Sequence, residues 1–367
     1  MLNWFKKLAK GLLVLAAVGV ILLAIAIGAL RLALTQLPSY QAELQAWVAA
    51  ELGLNFQFDA VDARWGLRGP ELTFHEASIA GTDADEPFLS AARAAITIDP
   101  LLFVLERELT ASRLTFDGTR VTIVHGLDGA YRVQGAPVGG ALDAELDAVI
   151  PQRVQVAVRD SEVLYIDAET EQSWQFTGVA VDLTRGPRRL AFELRATPPA
   201  ALASRVELSL EGEISAGSAE PPRWRVFSSL REVDLAALAG LAPTPLAGIL
   251  AGHGDVSFWL DWAGERPVRA TADLGLVDVV TAGVPEDLYD QVEMTLEWAE
   301  DSASRWRLAF SDVSLSRNGE AWPSGGNTRV ELERADGALQ RLSLRSDFLR
   351  VDDLRAFVLS WGGNELA

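Results

Sequence analysis

From residue 56 onward the chain alternates. In the stretch Arg153 to Asp167, RVQVAVRDSEVLYID, Val154, Val156 and Val158 fall to one side of an extended chain and Gln155 and Arg159 to the other. That period of two is the signature of a half-buried β-strand. It predicts strands at Glu71–Ile79, Ala94–Asp99, Arg113–Asp117, Arg120–His125, Arg153–Arg159, Val163–Asp167, Thr177–Thr184, Arg189–Ala196 and Ser204–Ile214. Further strands are predicted at Arg223–Leu230, Asp255–Trp262, Val268–Val277, Gln291–Ala299, Arg305–Asp312, Thr328–Arg334 and Leu339–Ser346. Turn-forming pairs punctuate them, at Asp117-Gly118, Asp128-Gly129, Arg185-Gly186-Pro187 and Asp336-Gly337. LREVDLAAL at Leu230–Leu238 and LRVDDLRAF at Leu349–Phe357 echo one another, each a strand end running into a short connector helix.

The N-terminal fifty-odd residues follow a different rule. Gly11 to Leu30 is an uncharged apolar run, and at about 1.5 Å per helical residue it covers roughly the 30 Å of a bilayer's hydrocarbon core. Lys6, Lys7 and Lys10 precede it while only Arg31 follows closely, which orients residues 1–10 to the cytoplasm and the rest of the chain outside. The division expected is a cytoplasmic N-terminus 1–10, a transmembrane helix 11–34, a short amphipathic capping helix 35–55 and a β region 56–367. Ser39 is the expected N-cap of the second helix, and Gly53 its stop.

So many alternating strands with so little helix leave an oily face to cover. A two-sheet sandwich, a closed barrel, and a long curled sheet whose inner face takes an apolar ligand all satisfy the pattern. Open twisted sheets seldom exceed about ten strands without curling or splitting. Charge and composition then narrow the functions. With 32 Lys+Arg against 51 Asp+Glu the net charge is −19, which opposes nucleic-acid binding. The chain has no cysteine and only His75, His125 and His253, which excludes disulfides, thiolate metal sites and cysteine nucleophiles.

Motifs of catalysis are absent: there is no G-x-S-x-G, HExxH or phosphate-binding glycine loop. No enzyme activity, metal or cofactor is expected. His75 and His125 are expected on polar surfaces and His253 in a turn; TDADEP at Thr82–Pro87 is expected to be a solvated turn. Arg185, Arg188 and Arg189 make a small basic knot. A solvated hairpin is the plain reading; the sharper one is a contact to a lipid headgroup phosphate. Of the tryptophans in strands, Trp262 and Trp298 share parity with apolar neighbours and are expected inward, Trp259 outward.

One segment carries a family resemblance. VDARWGLRGPELTFHEASIAG, Val61 to Gly81, follows the two N-terminal helices with Ala63, Trp65, Pro70, Leu72 and Phe74 in series, and Phe88–Val133 continues through DPLLFVL and LTFDGTRVTI to YRV. In order and spacing this resembles AsmA-like proteins of the YhdP type. The resemblance implies an inner-membrane anchor through residues 11–34, a periplasmic β-groove with a hydrophobic interior, and movement of phospholipid between inner and outer membranes. It leaves a second role open, an envelope scaffold or assembly factor for outer-membrane biogenesis, with envelope proteins as partners. Members of this type are longer, so a partial version is expected here. On the groove reading the lining residues are Val154, Val156, Val158, Val179, Val181, Leu183, Phe192, Leu194, Val206, Leu208 and Leu210, contacting phospholipid acyl chains. Core packing in a sandwich is the competing role for each.

Overall fold

A computed structural model describes Gly28 and residues 54–66, 69–81, 89–98, 111–133, 136–138, 153–213, 222–241, 249–264, 266–281, 288–302, 304–335 and 338–350. The expected spans 1–10 and 11–34, the helix up to residue 53, TDADEP, Asp336-Gly337 and the second connector beyond Arg350 lie outside the described residues. Among the described residues no helix is long and apolar enough to cross a membrane. The chain divides into two compact units, residues 1–121 with 133–138, and residues 122–132 with 139–367.

The first unit is an antiparallel sheet. β1 (Leu54–Gln57) and β2 (Ala60–Gly66) both pair with β3 (Gly69–Gly81), which pairs on its other side with β4 (Leu89–Ile98); β4 pairs in turn with β5 (Ala111–His125). The β region thus begins at Leu54, inside the span given to the capping helix. Phe58, Val61, Phe74, Ala77 and Ala94 form its core, with Phe58 and Phe74 edge to face at 5.0 Å. Arg113–Asp117 and Arg120–His125 are one strand. The Asp117-Gly118 pair is not a turn: Gly118 sits at φ 64°, and the ladder to β4 runs on in the same register from Asp117 to Thr119. Two short strands follow, β6 (Tyr131–Val133) and β7 (Ala136–Val138); the end of β5 from Thr122 and the first two residues of β6 fall in the second unit.

The second unit is a meander. Its strands are β8 (Val154–Asp167), β9 (Gln172–Arg185), β10 (Arg189–Thr197), β11 (Arg205–Glu213), β12 (Arg223–Asp234), β13 (Ile249–Ala263), β14 (Arg266–Thr281), β15 (Leu288–Ser302), β16 (Arg305–Arg317), the stub β17 (Glu320–Ala321), β18 (Gly326–Ala335) and β19 (Ala338–Ser346). Each pairs antiparallel with its neighbour in sequence, β18 joining β16 beside the stub, and no ladder links β19 back to β8 among the described residues. The sheet is open, so the barrel is excluded for these residues. The connector LREVDLAAL does end a strand and start helix α1 (Leu235–Leu241), and the Asp234 carboxylate caps it by accepting the Ala237 amide at 2.9 Å.

A bulge explains the other strand that sequence periodicity splits. Arg153–Arg159 and Val163–Asp167 are both β8, interrupted at Asp160, φ 47°. Glu76, Glu232, Asp278 and Asp312 take the same left-handed conformation inside β3, β12, β14 and β16. A positive φ costs an L-residue about 1–2 kcal/mol, and the ladder register shifts by one beside Asp160, Glu232, Asp278 and Asp312 but not beside Glu76. Apolar side chains therefore stay on one face while the acid turns to solvent. Bulges also tighten the local twist.

Candidate functional site

Antiparallel partners share a face, so the ladders of the second unit trace which side chains stand together. One row runs Val156, Leu183, Phe192, Leu210, Val226, Leu260, Ala270, Trp298, Leu308, Val330, Leu344 across every strand from β8 to β19 except the stub β17. A second row places Val158, Val181, Leu194 and Leu208 beside Phe258, Leu296 and Phe310. Ser228 stands in this second row between Leu208 and Phe258, and Thr328 and Ser346, hydroxyl to hydroxyl at 2.7 Å, end it, so the first row is wholly apolar and the second mostly so.

Among the described residues that face is uncovered for most of its extent. A second sheet packed at about 10 Å would bury it fully. Instead Val156, Val158, Val181, Leu183, Phe192, Leu194, Val206, Leu208 and Leu210 are only half-buried, while Val154 and Val179 are buried. At the β19 edge Leu342 and Leu344 are 59% and 54% exposed. Elements in substantial contact are ladder neighbours, apart from α1 lying on β12 and β13. Among the described residues, the sandwich is not the architecture of this unit. All eleven predicted lining residues fall on this one face, and Trp262 and Trp298 share it, while Trp259 stands on the opposite face, 40% exposed against Phe227.

One end of the face is closed. There Val233, at 1% exposure, packs with Ala203, Leu235, Leu276, Val279 and Tyr289, and Leu238 of α1 adds to the cover. The helix sits where β12 turns into β13, so it plugs the strand-end edge rather than the middle of the sheet.

The outer face is polar and laced with ion pairs. Arg159 grips the Asp182 carboxylate through both oxygens at 2.7 and 2.9 Å. Arg231 donates to Asp255 at 2.7 Å, and the Glu232 amide, freed by its bulge, donates to the other oxygen at 2.9 Å. The Glu232 amide and then the Arg231 guanidinium hold the Asp255 carboxyl below the usual carboxylate range.

Several polar positions differ from their expected surroundings. Arg185 is no solvated turn residue: it is buried at 7% exposure, at the strand-end row between Val154 and Leu190, while Arg188 and Arg189 are exposed and Arg189 pairs with Glu211. The three do not form one cluster. His125 is not a surface residue either. Its ring stacks on Tyr131 at 4.7 Å, and its Nδ1 lies 3.7 Å from Asp167 Oδ1. Burial pushes the Asp167 carboxyl up, but the Glu169 and Thr170 amides outweigh it and hold it low. His75 is on the surface as expected, 2.9 Å from Asp62; His253 is exposed but lies within β13 rather than in a turn. No cluster able to hold a metal occurs among the described residues.

The face extends well past the predicted lining residues. Val226, Phe258, Leu260, Leu296, Leu308 and Phe310 carry the same parity signal in later strands. Trp224, Trp262 and Trp306 stand in its last row at the strand ends, Trp224 lying over Gly212, where a Cβ would overlap its ring.

A family model described as YhdP protein matches residues 1–366. The chain belongs to the YhdP family. Comparison with curated proteins yields no match. Membership in the YhdP family accords with the Val61–Gly81 resemblance, and the open, one-sided apolar sheet is the fold on which this YhdP-family chain's function has to be argued.

Proposed function

We propose that this chain is anchored in the bacterial inner membrane through residues 11–34, with its β region in the periplasm, and that it conducts phospholipid between the inner and outer membranes along the apolar face. The observation that supports this is the unbroken, uncovered row of apolar side chains from β8 to β19 in a YhdP-family chain. At about 4.8 Å per strand that row is roughly 48 Å long, far more than one ligand-sized pocket needs.

The physics suits passage rather than capture. A fatty chain of about sixteen carbons costs roughly 12 kcal/mol to expose to water, at about 0.8 kcal/mol per methylene. A half-buried Val/Leu/Phe face removes much of that cost, and because apolar contact is non-directional no single position holds the chain. The headgroup stays in water throughout. No catalysed reaction and no cofactor is needed.

Photocrosslinking tests the reading. The full-length protein, carrying a photoreactive residue at Val156 or Val181 and illuminated in its native envelope, yields phospholipid adducts. Adducts to protein alone, with no lipid at either position, would instead favour a scaffold in outer-membrane biogenesis.

A further inference from the structure

The two strand-end edges of the second unit differ in how their strands begin and in what covers them. At one edge the strands β8, β10, β12, β14 and β16 begin. Their first or immediately preceding residues are Arg153, Arg189, Arg223, Arg266 and Arg305, all exposed, while β19, which begins at the same edge, opens on Ala338. The ladders bring these starts together, because Val154 faces Arg185, Arg223 faces Ala263, Ala263 faces Arg266 and Ser302 faces Arg305. Successive arginines thus recur every second strand, about 10 Å apart. Beside them the end row of the apolar face carries Trp224, Trp262 and Trp306, with the Trp262 indole N–H donating to the Gly264 carbonyl at 2.9 Å.

The other edge is richer in acids and partly shut. It carries Asp167, Glu169, Glu171, Asp234 and Asp278 beside Arg205, Arg231 and Arg317, and along β12 to β15 the α1 plug with the Val233 core closes it. Of the described strands that begin there, only β11 starts with arginine. In a chain of net charge −19, a file of arginines along one edge is a local reversal of sign.

We infer that the arginine and tryptophan edge is the headgroup side of the apolar face, where the phosphates of bound phospholipids run in file while their acyl chains lie along the strands toward α1. The inference rests on the conduction reading and adds an orientation to it. Three observations support it. The distance from Trp224 to Leu230 along β12 is about 20 Å, close to the roughly 15 Å hydrocarbon depth of one leaflet, half of a 30 Å bilayer core. Tryptophan is the residue of the membrane–water interface, and this row places it where the headgroup begins. Arginine matches phosphate bidentately. Its present partners do not bar it. Arg266 donates to Glu300 at 2.9 Å, Arg305 lies 3.1 Å from Glu333, and Arg189 pairs with Glu211. These are exposed pairs worth about 0–1 kcal/mol each, and a guanidinium with five donors retains others for a phosphate.

The test uses the full-length protein reconstituted in vesicles with two phospholipid probes, one photoactivatable in the headgroup and one at the acyl terminus. Acceptor positions are Leu190 and Leu332 near the tryptophan edge, and Val206 and Leu274 toward α1; Thr271 on the outer face supplies background. The headgroup probe is captured at Leu190 and Leu332, the acyl probe at Val206 and Leu274. Replacing the five arginines together (R153Q, R189Q, R223Q, R266Q, R305Q) lowers headgroup capture about fivefold and leaves acyl capture unchanged. Headgroup capture toward α1, equal capture at both sets, or an arginine variant that changes only thermal stability overturns the orientation and leaves conduction standing. Failure of both probes at all four positions overturns conduction itself.

Discussion

Val233 and Val181 stand on the same face of the same sheet, in strands of similar composition, yet they meet different surroundings. Val233 lies under α1 with Leu235, Val279 and Tyr289 and is 1% exposed; Val181 lies between Val158 and Leu194, with no layer above it among the described residues, and is half-buried. The alternation that placed both inward is identical. What differs is whether the polypeptide supplies its own cover. The capped end is protein core, and it fixes the sheet. The open stretch is apolar surface that folding alone leaves unfinished, an arrangement monomeric soluble proteins seldom tolerate over so large a patch unless something docks there.

The sharpest way to break this comparison is to put a charge in each place. Val233→Asp buries a carboxylate with no partner in the core and costs about 4 kcal/mol or more, which urea unfolding of the full-length protein reads as loss of the cooperative transition or a large fall in its midpoint. Val181→Asp leaves the transition nearly in place, within about 1–2 kcal/mol, because the half-open site lets water reach the charge, yet it abolishes lipid adducts at Val156. Equal destabilisation by the two substitutions would mean that Val181 is packed like Val233, and the open face would be a closed core after all.

Truncation should separate the two regions by less. Leu235→Ala removes a side chain fixed between α1 and β13 and costs about 3 kcal/mol, the usual range for a cavity left in a packed core. Leu208→Ala, midway along the open face, costs about 1 kcal/mol, since its neighbours already face solvent and no sealed cavity forms. Chemical denaturation of both variants checks the ratio, which matters more than either value.

The strands and the choice of inward side chains were legible because burial on one side imposes period two. That is why Val154 through Leu210 could be assigned to one face from spacing alone. What the spacing hid was the interruption. At Asp160 the ladder slips by one, and at Asp117-Gly118 the chain passes through a left-handed glycine without leaving the strand; a sequence reader takes either for a turn. The physical clue was that apolar parity resumes on the same side after an acid, as a bulge requires and a hairpin does not. Arg185 was misjudged for a related reason. Its turn is solvated, but the last ladder position of β9 carries its side chain back onto the apolar face. Whether the face was covered lay outside local pattern altogether, since a sandwich and an open sheet present the same alternation and differ only in long-range packing. The strand-starting arginines were visible in the letters, in RVQV, RLAF, RWRV, RPVR and RWRL, but become a file only once the meander sets every second strand end on one edge.

The smallest predicted effect tests whether the capped end depends on the bulge that aims Val233 inward. Asp255 on the outer face accepts the amide that the Glu232 bulge releases, and it pairs with Arg231. Its carboxyl titrates below the ordinary value of 3.8, so the folded state prefers the ionised form. The sign follows. The contribution is complete at pH values well above 3.8, shrinks as pH falls through the depressed folded pKa, and is gone below it. Because Asp255 is nearly half exposed, screening limits the contribution to about 1 kcal/mol or less. Asp255→Asn should therefore lower the unfolding midpoint slightly at neutral pH, and the gap to the parent should close in strong acid. A gap that persisted unchanged at low pH would show that the amide oxygen fails the bulge sterically rather than through charge. The inward aim of Val233 would then owe nothing to this carboxylate, and the contrast between the capped and open regions would rest on the α1 packing alone.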